Sequence, residues 1–194
     1  MEQTRCVTCR ATTPSYQLVS VGSIEHGYRD LCCFCHNAEV AKRYGLDQFD
    51  NRRFEPLQLS DARGQMHEFH FSPHLFMPGI ALSAIEIRDG QPAGYRFQVI
   101  GDPRDDSLIL LARLIEKMKR ALALKHLETD KHSGLGIADM TVRARIESDA
   151  DEAPRLPMLI IDGQEITWAQ FGQMLMSFEG FQFKLQIRDL SAEN

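Results

Sequence analysis

Within its first thirty-five residues the chain carries Cys6-Val-Thr-Cys9 and Cys32-Cys33-Phe-Cys35, two Cys-x-x-Cys pairs separated by 22 residues. Nothing else in the sequence restricts the fold as tightly. A Cys-x-x-Cys pair closes a tight backbone turn, so both sulfurs can reach one ion, and two pairs complete the four ligands a structural zinc prefers. Cys6, Cys9, Cys32 and Cys35 are therefore read as the ligands of one structural Zn2+. The second pair opens a helical stretch, Asn37 to Tyr44, whose positive end favours thiolates. Cys33 is too close to Cys35 for the usual knuckle, so Cys32 is taken as the ligand and Cys33 as a small buried residue. His26 and His36 are the nearby groups that would replace a ligand. A redox reading of Cys32 and Cys35 needs a thioredoxin-like strand and helix, which the pattern lacks.

All five cysteines lie before residue 36. A disulfide framework of a secreted protein would be even in number and spread along the chain. The segment Met1 to Arg5 lacks the apolar stretch of a signal peptide. The longest apolar run, Leu108 to Ala112, is far short of a membrane span. The expectation is a cytoplasmic protein with no membrane partner. A net charge of -5 argues against coating nucleic acid by bulk electrostatics, while leaving room for a local basic face.

The rest of the chain reads as an α+β domain over 54–194, joined to a zinc module over 1–46 by the polar linker Asp47 to Arg53. In the module, Tyr16 to Val21 and Tyr28 to Leu31 predict a hairpin turning at Glu25-His26-Gly27. Beyond the linker, Phe54 to Leu59 and Gln65 to Phe71 flank Asp61-Ala-Arg-Gly64, and Ile80 to Arg88 and Tyr95 to Ile100 flank Asp89 to Gly94. These predict two hairpins. Pro73 is expected to end its strand before His74. Asp105, Asp106 and Ser107 cap a helix whose stripe reads as Leu108, Leu111, Ile115, Met118 and Leu122. Met140 to Glu147, Met158 to Ile161 and Phe181 to Arg188 read as strands, with an acidic loop at Ser148 to Glu152. Thr167-Trp-Ala-Gln170 is a capping box for a helix running to Phe178 and stopped by Gly180. The architecture expected is a small zinc module beside a mostly antiparallel sheet with two covering helices.

Over its first forty or so residues the chain resembles the treble-clef and zinc-ribbon group, on its knuckle, its hairpin and its second Cys pair at a helix start. The resemblance implies metal binding at Cys6, Cys9, Cys32 and Cys35 and no catalysis. Members of that group bind nucleic acid, bind proteins or only hold a fold together. The whole chain also resembles a set of bacterial proteins of unassigned function. That likeness rests on the Cys pairs, Phe97-Gln-Val-Ile-Gly-Asp102, Ile161-Asp-Gly163, Trp168 with Phe171-Gly172, and Phe178-Glu-Gly180.

The leading functional expectation is a zinc-binding, non-enzymatic interaction or adaptor protein with a protein partner or as a homo-oligomer. It follows from a closed metal site and from a sequence without phosphate loop, nucleophile elbow or zinc-protease helix. One alternative is nucleic-acid binding, with Arg5, Arg10, Arg29, Lys42 and Arg43 on phosphates and Tyr16, Tyr28, Phe34 and Tyr44 stacking. The other is a metal-dependent hydrolase using His67, His70, His74 and nearby acids. On a strand, His67 and His70 point to opposite faces, which weighs against their sharing an ion.

Overall fold

A computed structural model describes residues 4–131, 134–148 and 156–192. Asp149, Asp151 and Glu152 of the expected acidic loop lie outside the described residues. The fold is α+β, with antiparallel sheets and three α-helices among the described residues. Apolar side chains gather in three clusters along the chain, and each is built around its own sheet or hairpin.

The first cluster belongs to the N-terminal module. Strands β1 (Thr4–Arg5) and β2 (Thr12–Thr13) pair around the first Cys turn. Strands β3 (Leu18–Ser23) and β4 (Gly27–Cys32) form the predicted hairpin. Helix α1 (Cys33–Arg43) follows β4 directly, with the Cys32 sulfur accepting a hydrogen bond from the Cys35 N–H as its N-cap. Gly45, at φ 66°, lets the chain turn away after the helix.

The second cluster fills the central sheet. Strands β5 (Leu57–Ser60), β6 (Met66–Phe76), β7 (Gly79–Arg88) and β8 (Gln91–Gly101) lie side by side in chain order, every neighbour antiparallel. The β7–β8 loop is tighter than expected. Asp89 and Gly90, at φ 51° and 75°, make a two-residue turn, and pairing resumes at Gln91. Helix α2 (Ser107–Leu122) covers one face and begins on Asp106, whose carboxylate accepts from the Leu108 N–H. Its buried stripe is Leu110, Leu114, Met118 and Leu122, not the expected set beginning at Leu108 and Leu111. Leu108 and Ile109 are 47% and 60% exposed. The unbroken apolar run Leu108 to Leu111 fits either phase, and the fit against Phe69, Leu82, Phe97 and Val99 selects one. Each stripe residue contributes roughly 2 kcal/mol by burial.

Pro73 does not end β6, which continues to Phe76. Past Phe69 the outer edge of β6 has no strand beside it among the described residues, because β5 pairs only with Met66 to Phe69. The missing N–H of Pro73 lies on that edge, where no ladder bond is lost. Side-chain amides of the N-terminal module serve the edge instead. Gln17 Nε2 donates to the Phe71 carbonyl at 3.0 Å, Asn37 Nδ2 donates to the Pro73 carbonyl at 3.2 Å, and the Leu75 N–H donates to Asn37 Oδ1 at 2.9 Å. The opposite edge, on β8, is blunted by α2: Lys117 Nζ donates to the Gln98 carbonyl at 2.9 Å.

The third cluster lies after α2. A hairpin of β9 (Leu127–Asp130) and β10 (Gly134–Ile137) stands with a three-stranded sheet of β11 (Arg145–Ser148), β12 (Pro157–Ile161) and β13 (Gln164–Thr167). Helix α3 (Trp168–Leu175) starts on the predicted capping box of Thr167 and Gln170 and packs on β10, β12 and β13. A 3-10 turn, Met176–Phe178, and Gly180 at φ 87° end it. The two helices α2 and α3 thus cover different sheets. The expected strand from Phe181 to Arg188 is absent. Among the described residues no backbone–backbone hydrogen bond forms over 182–188, although the alternation is intact. The tail beyond it is held by Lys117 Nζ, which donates to the carbonyls of Leu190 and Ala192 at 2.7 and 2.9 Å.

Candidate metal centre

The first sulfur pair comes from a turn between β1 and β2. The Cys6 N–H donates to the Ala11 carbonyl, and the Arg10 N–H donates back to the Cys6 carbonyl at 2.8 Å. Arg10 takes φ 61° to close this loop. The Val7 N–H then donates to the Asp30 carbonyl at 2.9 Å, which fixes the turn against β4 and so against Cys32. The second pair sits where β4 becomes α1, with Cys32 and Cys35 one helical turn apart on the same face.

These elements bring the sulfurs of Cys6, Cys9, Cys32 and Cys35 within 4.8 Å of one another, and Cys9 Sγ and Cys32 Sγ are 3.8 Å apart. Zinc–sulfur bonds of about 2.3 Å arranged tetrahedrally put sulfurs about 3.8 Å apart, so the set is the right size. The local field also fits a cation. Burial works against ionising Cys6, yet backbone N–H groups of Cys9, Cys32 and Thr8 outweigh it and hold its thiol at about 6. Cys32 is pushed up by burial, and Cys35 is pushed up by burial and by the sulfurs of Cys32, Cys9 and Cys6. Four thiolates so close repel one another, and the attraction of a divalent cation among them offsets that penalty. The four cysteines could therefore hold a metal ion.

Cys33 is placed as expected, buried and outside the sulfur cluster. Its thiol interacts with the Ser72 hydroxyl, and burial pushes it up to about 11. His36 is not among the clustered donors and stacks on His74, the ring centroids 4.9 Å apart. His26 lies exposed in the β3–β4 turn.

The three histidines of the hydrolase reading do not converge. His67 faces the α2 side, where its Nδ1 is 2.7 Å from Glu86 Oε1 and its Nε2 is 3.4 Å from Asp61 Oδ2. His70 faces the other way, between Tyr16 Oη at 2.8 Å and Glu68 Oε1 at 2.7 Å. His74 sits on His36. Among the described residues, the four cysteines are the one group of three or more His, Cys, Asp or Glu donors placed to share an ion. Several residues of the nucleic-acid reading have internal partners. The Arg29 guanidinium holds both oxygens of Glu39, Phe34 is buried beneath the Arg53 guanidinium, and Tyr16 bonds His70. Tyr28 and Tyr44 remain exposed.

Sequence reading missed the residues that seat the N-terminal module on the sheet. Asn37, Gln17 and Tyr16 all bond to β6, across 36 to 54 positions of chain. The one local signal was a buried-phase polar residue in α1, because Asn37 falls on the face of Cys33, Phe34 and Ala41. A second missed contact is Asp162, in the β12–β13 turn. Its Oδ2 accepts from the His126 and Leu127 N–H groups, each at 2.8 Å, and from Arg63 at 3.2 Å. It fastens the third cluster to the β5–β6 turn.

Residues 5–47 match a family described as Domain of unknown function (DUF7685), residues 50–123 match Domain of unknown function (DUF7686), and residues 126–192 match Domain of unknown function (DUF7713). No curated protein and no solved structure matches the chain. The three matched segments follow the three apolar clusters, with Val40, Ala41 and Leu46 of the first segment packing into the central one.

Proposed function

We propose that the chain is a zinc-organised interaction protein in which Cys6, Cys9, Cys32 and Cys35 hold one Zn2+ as a structural ion. The observation that carries this reading is the closed donor set. Four sulfurs in one shell fill the tetrahedron and leave no position for a water or substrate, whereas catalytic zinc keeps one open. When bound, zinc offsets part of the charge of the four thiolates and fixes the β1–β2 turn against the start of α1. The module is too small to hold its shape by its own apolar core, which is Leu31 with the cysteines, Phe34 and neighbouring valines. Fixed in this way, α1 presents Asn37 to the central sheet, and the exposed β3–β4 hairpin is offered to a partner protein.

The test is affinity capture from native host lysate with the zinc-loaded chain, followed by direct binding of the purified captured protein. The reading expects a stable complex that is lost with Cys35→Ser or on chelation. It fails if no partner binds the zinc-loaded chain while the same preparation turns over a substrate.

A further inference from the structure

Tyr16, His70 and Glu68 form a chain of two hydrogen bonds that the metal centre does not use. Tyr16 sits in a 3-10 turn, Ser15–Gln17, and the Gln17 bond to the Phe71 carbonyl sets that turn beside β6. Tyr16 Oη lies 2.8 Å from His70 Nδ1, and His70 Nε2 lies 2.7 Å from Glu68 Oε1. Glu68 and His70 are two apart on β6 and so share a face. The hydrogen bond from His70 holds the Glu68 carboxyl below its usual range, so it is ionised at neutral pH and only accepts. A neutral His70 therefore donates its Nε2–H to Glu68 and leaves Nδ1 to accept from the Tyr16 hydroxyl. Burial, with the Glu68 charge adding to it, pushes that hydroxyl up, so Tyr16 keeps its proton until a base takes it. Hydroxyl to imidazole to carboxylate is the order in which a nucleophile, its base and the orienting group of that base are linked in acyl transfer.

Tyr16 also lines a cleft of about 250 Å3. Two cross-strand rows line it with Tyr16: Ile85 and Arg96 on the central sheet, and Arg145, Ile160 and Glu165 on the three-stranded sheet. Ile85 and Ile160 make part of its wall apolar. Arg145 is held by Glu147, which leaves Arg96 as a guanidinium without an ion-pair partner among the described residues. We propose that Tyr16 is an acyl-accepting nucleophile in this cleft, with His70 as its base and Glu68 orienting His70, and that the substrate is an ester of a small apolar acid. In the first step the Tyr16 oxygen bonds the acyl carbon, the ester C–O bond breaks, and the Tyr16 proton passes through His70 Nδ1 to the departing oxygen. In the second, a water oxygen bonds the acyl carbon, its proton goes to His70, the acyl–Tyr16 bond breaks, and His70 returns a proton to Tyr16. Arg96 supplies the cleft with positive charge for the oxyanion of both steps. The reaction involves none of the four cysteines and is separate from the role proposed for them.

Acetylation by 4-nitrophenyl acetate, quenched in acid and mapped by peptide mass on the zinc-loaded chain, tests the proposal. Tyr28 and Tyr44 are 64% and 53% exposed and Tyr16 is half-buried, so access alone would label Tyr28 and Tyr44 first. The proposal expects Tyr16 to be acetylated before either, and its acetyl group to leave faster than theirs once the reagent is removed. In His70→Phe the Tyr16 rate is expected to fall about 100-fold or more. That variant keeps a ring against Tyr16, and the Gln17 and Asn37 bonds still seat the turn; retained zinc and an unchanged far-ultraviolet circular dichroism spectrum verify its fold. Glu68→Ala, at a half-exposed carboxylate, is expected to lower the limiting rate without moving the reagent concentration that gives half of it. Labelling of Tyr16 no faster than Tyr28 and Tyr44 overturns the proposal in wild type alone. A smaller fall in His70→Phe overturns it as well, as does an acetyl group that stays on Tyr16. A Glu68→Ala chain with an unchanged limiting rate removes Glu68 from the relay.

Discussion

Asn37 and Leu75 are joined by the hydrogen bond that a missing strand would have made. The Leu75 N–H donates to the Asn37 side-chain oxygen at 2.9 Å, while the same amide donates to the Pro73 carbonyl. One fully buried side chain thereby satisfies two groups of an open sheet edge and docks the N-terminal module on the central sheet. Asn37→Leu keeps the size but leaves a buried N–H and a buried carbonyl unpaired. At about 1–3 kcal/mol for each unsatisfied group, the loss is expected to be roughly 2–6 kcal/mol, read from the denaturant midpoint. A change below about 0.5 kcal/mol, the range of neutral surface substitutions, would mean that the edge is served by something else.

Asp162 plays the corresponding part for the C-terminal cluster, accepting from two backbone N–H groups and Arg63. Asp162→Ala is expected to destabilise by about 2–4 kcal/mol. Hydrogen exchange should rise at the amides of His126 and Leu127 before it rises in β6 or β7. Uniform exchange across the chain would contradict this assignment.

Acid should weaken the β5–β6 turn in a predictable direction. Burial raises the Asp61 carboxyl, but N–H donors from Gln65 and Arg63 and the neighbouring His67 outweigh it, so the folded value lies below the usual carboxylate range. A group depressed on folding stabilises above its unfolded value, and that contribution disappears as pH falls through the folded one. The stability difference between wild type and Asp61→Asn should therefore be largest at neutral pH and shrink below about pH 4, the ordinary carboxylate value. A difference constant with pH would show that the charge of Asp61 contributes nothing.

Cys33 offers a sharp separation between proximity in sequence and membership of the site. Cys33→Val should retain one zinc per chain, whereas Cys32→Ser should lose tight binding. Metal content after exhaustive dialysis checks both, and loss of zinc in Cys33→Val would reassign the ligands.

The parts of this fold that sequence reading found are those fixed by neighbours in the chain. The Cys pairs, the Asp106 and Thr167 caps and the two central hairpins each depend on contacts within a few positions. What it missed depends on long-range fit. The phase of α2 was hidden because Leu108 to Leu111 are all apolar, and only the sheet decides that Leu110 goes inside. Pro73 looked like a strand end because the sequence does not say that its N–H side faces Asn37 rather than another strand. The alternation of Phe181 to Ile187 was visible, but a strand pattern does not name its neighbour. The sulfur cluster was legible for a simpler reason: four ligands to one ion leave a fixed spacing in the chain, whereas Asn37, Tyr16 and Asp162 act across gaps that leave none.

The most direct measurement of the metal assignment is zinc K-edge X-ray absorption on the purified chain. The account predicts one zinc per chain with a first shell of four sulfurs at about 2.3 Å. A first shell containing nitrogen or oxygen, or a chain that holds no zinc and keeps an equally ordered N-terminal module in strong chelator, would contradict it.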